Sequence, residues 1–384
     1  MVGPRDSGSA GGEDAGVLPL PPEDAAADAS EPFVPVDAGP ASSFGVDPAH
    51  DNCVLDASIA SPLKPAWTAS FDGGVTYPVV VGDRAIVAVN EAEPNLRALD
   101  LATGALDWGP LVVGGSVMLA AEGTTVFALT GSGELFAYDA TSGHALWSTQ
   151  LQGQIDFWSP PVASGGLVYV NGLESGGTTY AINASNGQTA WTADTFDGSE
   201  GTVAVLNGVV YEAEACDQVS AFDAYSGALH WYHSTSCTGG GGTTPAAYGN
   251  EIWVRDTPLG NVILDTGGAV KGSFNGNVLP AFHDGTVFYA NGTNITAVDL
   301  ATSMQKWTFA GDAEICTAPV VAGASGQVFV GSRSGNVYEL DEATGAQRSV
   351  NDAGAAVVCG SETTSMGMAP GRLLVPVANG LVAY

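Results

Sequence analysis

From about residue 53 to residue 384, short apolar runs alternate with glycine-bearing turns. Runs such as VFAL, LVYV, VVYE and VFVG are rich in β-branched and aromatic residues, which is typical of buried strands. Four such runs fill each unit of about 40 residues. In the first unit they are Thr76–Val81, Arg84–Asn90, Leu96–Leu101 and a run that begins at Leu106–Trp108. The pattern predicts an all-β protein built from repeated four-stranded units.

A short phrase, A-x-D-x-x-T/S-G-x-x-x-W, recurs late in these units. In each of five copies a Trp follows the acidic or amide residue by eight positions; these residues are Trp108, Trp147, Trp191, Trp231 and Trp307. The fifth copy has Ser303 in place of the glycine, and Trp67 stands ahead of the first copy. Two degenerate copies of the phrase end near Phe274 and Val350 without a Trp. We expect the contacts between blades there to differ from those at the other copies, and these are the first places to look for function.

Four strands in each unit of about 40 residues predict a β-propeller. The last run, Leu381–Tyr384, corresponds to a third strand without a fourth, whereas Pro65–Thr68 corresponds to a fourth strand without its predecessors. The two ends therefore complete one blade, which gives an eight-bladed propeller of four-stranded antiparallel blades; seven blades is the alternative. Proline also recurs in the middle of the first predicted strand, as expected for an edge strand facing a central channel, at Pro78, Pro161, Pro245, Pro280 and Pro319.

The repeated phrase resembles the pyrroloquinoline-quinone (PQQ) type repeat of eight-bladed propellers, over about residues 65–384. The resemblance implies a PQQ-like propeller domain over residues 53–384. It also implies that six tryptophans lie between blades and dock them together: Trp67, Trp108, Trp147, Trp191, Trp231 and Trp307. The family includes quinoprotein alcohol dehydrogenases, BamB-type outer-membrane assembly lipoproteins and other non-catalytic extracytoplasmic propellers.

The parts that a quinoprotein needs are not recognisable in this sequence. There is no vicinal Cys-Cys pair, and no Asp matches the catalytic position of that family. The acidic loop with Asp194, Asp197 and Glu200 offers oxygen ligands for Ca²⁺ but lacks the EF-hand spacing, so an ordinary acidic turn is the favoured interpretation. We therefore assign no catalytic, cofactor-binding or metal-binding residue, and expect no cofactor. The expected role is a scaffold for partner proteins or a ligand-recognition module. The alternative is a dehydrogenase that binds PQQ and Ca²⁺.

Five cysteines are present, and none forms a CxxC pair or a Cys/His cluster with zinc spacing. Cys216 follows a predicted second strand, whereas Cys237, Cys316 and Cys359 each precede a predicted first strand, so all four loops could share one propeller face. These positions suggest the disulfides Cys216–Cys237 and Cys316–Cys359, with Cys53 left over. Free buried thiols remain the alternative. Disulfides persist in oxidising compartments, so these pairs would agree with a location outside the cytoplasm.

Residues 1–52 are rich in Gly, Ala, Pro and acidic residues, a composition that predicts a disordered linker. The net charge of −31 disfavours nucleic acid as a partner. No apolar stretch is long enough for a transmembrane helix, and no signal peptide is recognisable. Because acidic linkers often follow a membrane anchor, we expect an export signal or lipid-anchored Cys upstream of residue 1. The expectation is thus a monomer in the periplasm, at the outer membrane or at the cell surface, with protein partners.

Overall fold

The computed structural model describes residues 39–90, 95–173, 176–235, 242–256, 260–360 and 364–384. Within these ranges the chain forms 33 β-strands and one 3₁₀ turn, Gly323–Ser325. The strands form eight antiparallel four-stranded sheets, one of which gains a fifth, parallel strand. This confirms the predicted eight-bladed propeller and excludes seven blades.

Blades 1 to 4 each contain four consecutive strands, from the channel outwards. Blade 1 contains β3 (Gly74–Val81), β4 (Arg84–Asn90), β5 (Leu96–Asp100) and β6 (Leu106–Leu111). Blade 2 contains β7 (Val117–Glu122), β8 (Thr125–Thr130), β9 (Glu134–Asp139) and β10 (Ala145–Gln150). Blade 3 contains β11 (Val162–Ser164), β12 (Leu167–Gly172), β13 (Thr178–Asn183) and β14 (Thr189–Asp194). Blade 4 contains β15 (Ala204–Leu206), β16 (Val209–Glu214), β17 (Gln218–Asp223) and β18 (Leu229–His233).

Blades 5 and 6 repeat this order, whereas blades 7 and 8 each recruit a strand from the N-terminal part of the chain. Blade 5 contains β19 (Ala246–Tyr248), β20 (Glu251–Val254), β21 (Asn261–Asp265) and β22 (Val270–Phe274). Blade 6 contains β23 (Ala281–His283), β24 (Thr286–Asn291), β25 (Asn294–Asp299) and β26 (Met304–Ala310). Blade 7 contains β27 (Val320–Ala322), β28 (Gln327–Gly331), β29 (Asn336–Asp341) and β30 (Gln347–Asp352), with β1 (Cys53–Val54) added beside β27. Blade 8 contains β31 (Gly367–Ala369), β32 (Arg372–Val377), β33 (Gly380–Ala383) and β2 (Trp67–Ser70).

The ring closes in blade 8, where the two ends of the propeller pair as the sequence predicts. β2 runs antiparallel to β33, with Trp67 opposite Ala383 and Ser70 opposite Gly380. Closure by hydrogen bonding leaves no unpaired edge between the first and the last blade. Alternating strand directions also give the propeller two distinct ends. We call the end with the turns between the first and second and between the third and fourth strands the turn face, and the opposite end the loop face.

The inner strands are shorter than the sequence suggests. Only Pro78 lies within its strand, whereas Pro161, Pro245, Pro280 and Pro319 immediately precede three-residue strands. The side chains of His50 and Asn52 are 2.9 Å from the carbonyl oxygens of Pro245 and Pro280, respectively. The carbonyls of these two prolines, which face the channel, are thus hydrogen-bonded by side chains of the segment before β1 and not by a neighbouring strand.

Residues 41–52 cross the channel at the turn face, which corrects part of the predicted linker boundary. Residues such as Phe44, Val46, His50 and Asn52 are buried against the blades. Main-chain carbonyls of residues 41, 42, 48, 49, 51 and 52 accept hydrogen bonds over 2.6–2.9 Å from the next-to-last residues of six inner strands: Val80, Ala121, Val205, Ala247, Phe282 and Val321. The folded part therefore begins before residue 53. Residues 1–38 of the predicted linker lie outside the described residues.

Candidate functional site

The five tryptophans of the repeated phrase and Trp67 all lie at seams between consecutive blades. Each indole N–H donates to a main-chain carbonyl in the turn of the next blade over 2.7–3.0 Å. Each ring also covers a glycine in that turn; the facing pairs are Trp67–Gly104, Trp108–Gly143, Trp147–Gly187, Trp191–Gly227, Trp231–Gly268 and Trp307–Gly345. A Cβ on Gly227 would lie 2.7 Å from the Trp191 ring, and its φ of +71° also favours glycine. Each Trp–Gly pair is therefore a single packing unit shared by two blades.

Two seams lack this pair, and each has a structural reason. In blade 5 the position of the Trp is Gly272, opposite Ile263, and blade 6 carries Ser303 where the receiving glycine would lie. Both partners have therefore changed together at the same seam. In blade 7 the position is Ser349, and blade 8 has no turn between β33 and β2 to receive a ring. Instead, the Leu63 N–H donates to Ser349 Oγ over 3.1 Å. The prediction that these seams differ is correct, but the exceptions are at Gly272 and Ser349 rather than at Phe274 and Val350.

The Asp of the phrase closes the turn that carries the glycine. Asp100 Oδ1 accepts hydrogen bonds from the Thr103 N–H over 2.8 Å and the Thr103 hydroxyl over 2.6 Å. Asp139, Asp223, Asp299 and Asp341 make the same kind of contact. These hydrogen bonds hold the pKa of each carboxyl below its ordinary value. The acidic member of the phrase is therefore a turn residue.

Four exposed apolar side chains lie on the loop face, on connections between successive blades. Val112 follows blade 1, Ile155 and Trp158 follow blade 2, and Phe196 follows blade 3. Their exposed fractions run from 45% for Trp158 to 66% for Val112 and Ile155. Phe196 stacks on Tyr232 with 4.2 Å between ring centroids. Ile155 and Trp158 line a cavity of about 470 Å³. We call these four residues the loop-face patch; they have no periodic pattern that the sequence could reveal.

Acidic residues are buried beside this patch, at the loop-face end of blade 4. Glu212 and Glu214 point to the same side of β16 because they are two residues apart, and both are buried. Burial, and then the charge of Glu214, raises the pKa of Glu212. Burial raises the pKa of Glu214 to about 7, and burial with the charge of Asp256 raises that of Asp217 to about 6. In the sequence, two glutamates within the otherwise apolar strand VVYEAE could have indicated this cluster, because acidic residues are uncommon in buried strands.

Replacing Glu214 by Gln should stabilise the protein at pH 8 by about 2 kcal/mol, because the mutation removes a buried charge but keeps the shape. The folded-state pKa is raised, so the favourable contribution of protonated Glu214 is complete below the unfolded-state value and is lost as the pH rises through about 7. The gain in Glu214→Gln should therefore shrink towards zero at pH 5. Urea denaturation at both pH values measures this difference. Glu200→Gln, which removes an exposed charge from the same face, is the control, and its effect on the free energy of unfolding should be the same at both pH values. If both variants changed the free energy of unfolding equally, the stabilisation could not be due to burial of the Glu214 carboxyl.

The residues considered for Ca²⁺ do not form a coordination group. Asp194 ends β14 and Glu200 is exposed. Over the described ranges, no group of three or more His, Cys, Asp or Glu side chains is placed to hold a metal ion.

One of the two predicted disulfides lies among the described residues. Cys316 and Cys359 are joined, with 5.0 Å between their Cα atoms, and connect the loops that precede blades 7 and 8. Cys53 is a buried free thiol in β1. The predicted partner of Cys216 is Cys237, which lies outside the described residues.

The fold and its seams define a β-propeller of PQQ-type repeats. The sequence profile of the family described as "Outer membrane protein assembly factor BamB" matches this chain in four overlapping stretches, residues 55–154, 97–200, 175–267 and 246–383. The chain therefore belongs to this family, as the resemblance predicted. Within the described part of the chain, no helix has the length and apolarity needed to cross a membrane.

Relatives with this description are similar over part of their length. The chain is 28% identical over 185 residues to outer membrane protein assembly factor BamB of Moranella endobia, covering 44% of this chain and 46% of that protein. The namesake in Burkholderia pseudomallei is 34% identical over 138 residues, covering 34% of this chain and 33% of that protein. The aligned regions thus span less than half of each of these two relatives.

Solved structures share the fold at low sequence identity. The crystal structure of BamB from Moraxella catarrhalis is 21% identical, with a TM-score of 0.63, and the match covers 83% of this chain and 96% of that chain. A europium-containing methanol dehydrogenase is 15% identical, with a TM-score of 0.70, and the match covers 90% of this chain and 91% of that chain. Identity at this level shows a common architecture and does not separate a scaffold from an enzyme.

Proposed function

We propose that this protein is a non-catalytic, extracytoplasmic scaffold that binds partner proteins through the loop-face patch, in the assembly of outer-membrane proteins. The observation that carries the proposal is the row of exposed apolar side chains on three successive inter-blade loops. Family membership supports the setting, because the relatives are named as outer-membrane assembly factors.

The loop-face patch has the chemistry of a protein-binding surface. Exposed apolar residues that occur singly are ordinary, whereas a cluster on one face marks an interaction site. Trp158 and Phe196 supply large, rigid rings of the kind that dominate binding energy when a partner excludes water from them. The neighbouring carboxylates and the net charge of −31 favour a partner surface that is neutral or basic.

Site-specific photo-crosslinking tests the proposal. A benzoylphenylalanine at position 158 or 196 should give one dominant adduct when the protein is mixed with detergent-solubilised outer membranes of the organism that encodes it. The same probe at position 304 or 350, where exposed side chains point outwards from the blades, should not give this adduct. An identical adduct pattern at all four positions, or no adduct at positions 158 and 196, would contradict the proposal.

A PQQ-dependent dehydrogenase is the alternative, and a cofactor titration separates the two. Addition of PQQ and Ca²⁺ to the purified protein should produce neither a cofactor absorbance band that persists after gel filtration nor dye-linked oxidation of alcohols. We further propose a monomer that works outside the cytoplasm and binds no nucleic acid. The acidic surface supports the last point, since it repels phosphate groups.

A further inference from the structure

A second site lies on the turn face, where residues 41–52 cross the channel. In six blades the next-to-last residue of the inner strand donates its N–H to a carbonyl of this crossing segment, and in blade 8 the Met368 carbonyl instead accepts from the Ala41 N–H over 2.7 Å. The segment thus occupies seven of the eight equivalent positions around the channel. The remaining position belongs to blade 3.

Ala163 is the middle residue of the inner strand of blade 3. It lies opposite Val168, just as Val205 lies opposite Val210 in blade 4. Ser164 and Leu167 flank a two-residue turn and pair with each other, so the Ala163 N–H points away from β12 towards the channel. The crossing segment passes this strand by turning at residues 43–46, and no described carbonyl of the segment accepts from Ala163.

A cavity of about 570 Å³ occupies the place that the crossing segment leaves open beside Ala163. This volume is within the range of roughly 300–1,000 Å³ that is usual for ligand sites. The aromatic side chains at its edge are Tyr169, which donates to the Ala224 carbonyl over 3.1 Å, and Tyr225. Its acidic side chains are Asp47 and Glu122, and among the described residues no Lys, Arg or His lines it.

Tyr225 is unusual for its place in the repeat. It follows the Asp of the phrase by two positions, where other blades have small residues: Ala102, Thr141, Ser185, Ala301 and Ala343. Its side chain is 65% exposed, so packing within the propeller does not explain its size. A phenol ring at the rim of a cavity provides an apolar face and a polar tip for a bound molecule.

The groups around the cavity specify the chemistry of the ligand. A buried N–H calls for an acceptor, and in six other blades the equivalent N–H is satisfied by a main-chain carbonyl of an irregular, extended segment. The two carboxylates disfavour an anionic acceptor and favour a basic group nearby. An extended peptide supplies the carbonyl, an apolar side chain for the tyrosines and a Lys or Arg for the carboxylates.

We propose that this cavity binds an extended, basic and apolar segment of a partner protein, one carbonyl of which accepts a hydrogen bond from the Ala163 N–H. The proposal rests on the proposed role in protein binding, but it places a second contact at the end of the propeller opposite the loop-face patch. The two sites can therefore be tested independently.

An array of acetylated hexapeptides, in which Val, Leu or Tyr alternates with Lys, Ser or Glu, tests this site on the intact protein. Peptides that contain Lys should bind most tightly. Tyr225→Ser, which introduces the type of residue found at Ser185 in blade 3, should weaken their binding by about tenfold or more. In ¹⁵N-alanine-labelled protein, the tightest peptide should shift the Ala163 amide resonance and slow its hydrogen exchange.

Met304→Ser is the control, because it removes an exposed apolar side chain that lies outside both proposed binding sites and should leave peptide affinity unchanged. Unfolding temperatures of both variants would exclude a general loss of structure. The proposal is overturned if no peptide binds the wild-type protein more tightly than it binds Tyr225→Ser, or if the peptides that contain Glu have the highest affinity. Neither result would affect crosslinking at position 158, so failure of this site is distinguishable from failure of the proposed function.

Discussion

Trp191→Ala is expected to lower the free energy of unfolding by about 3–5 kcal/mol, as for other large aromatic residues removed from a core. The Trp191 ring packs between blades 3 and 4 on Gly227, and its N–H donates to the Ala224 carbonyl over 2.9 Å. Neighbouring blades cannot fill the gap, because the turn around Gly227 is fixed by hydrogen bonds from Ser226 to Asp223. Urea denaturation followed by tryptophan fluorescence and by circular dichroism measures the loss.

Trp158→Ala is the appropriate comparison for Trp191→Ala, because it deletes the same side chain from an exposed position. Its effect on stability should stay within about 0.5 kcal/mol. Gly227→Ala should be destabilising as well, since the new Cβ would meet the Trp191 ring at 2.7 Å. If Trp191→Ala were no more harmful than Trp158→Ala, the seam would not depend on the Trp–Gly pair.

Removal of the Cys316–Cys359 disulfide is expected to cost about 4 kcal/mol. The bond closes a segment with a sequence separation of 43 residues. A loop of this length restricts the unfolded chain by about 4 kcal/mol in the chain-entropy description. The bond also joins the loops before blades 7 and 8, next to the blade that depends on both chain ends for closure. The double variant Cys316→Ala/Cys359→Ala, denatured without reductant, gives the cost.

The corresponding Ser double variant separates the crosslink from the packing of the side chains. Both double variants should lose similar stability, because both remove the same covalent bond. A loss below about 1 kcal/mol in both would show that the bond does not constrain the unfolded chain as expected. A large loss in the Ser variant alone would instead indicate that burial of the hydroxyls is the dominant cost.

The architecture was predictable because it repeats. In five copies the Trp follows its Asp or Asn by eight positions, so this spacing identified Trp108 and Trp307 with the same structural unit, whereas the role of Trp67 came from the resemblance. Closure by β2 and β33 followed from counting strands. At the seam between blades 5 and 6, Gly272 replaces the Trp and Ser303 replaces the facing Gly. The sequence spacing indicated only that the copy of the phrase in blade 5 is degenerate.

The functional surfaces were not predictable in the same way, because each feature occurs once. The composition of residues 39–52 predicts a linker, yet main-chain carbonyls hold this segment in the channel, and composition does not report such hydrogen bonds. Val46, His50 and Asn52 adopt positive φ angles that residue type does not suggest. Ile155 and Trp158 lie on the loop after blade 2 and Phe196 on the loop after blade 3, so only the order of blades around the ring places these loops side by side.

The most direct measurement is the affinity of the partner recovered by crosslinking at position 158 for three forms of the protein. Wild type and the control variant Met304→Ser/Val350→Ser should bind it equally, because the control changes exposed residues away from the loop face. Trp158→Ser/Phe196→Ser should bind it about 30-fold or more weakly, since two aromatic anchors are lost while the propeller seams stay intact. Equal affinity for all three forms would contradict the assignment of the loop-face patch as the protein-binding surface.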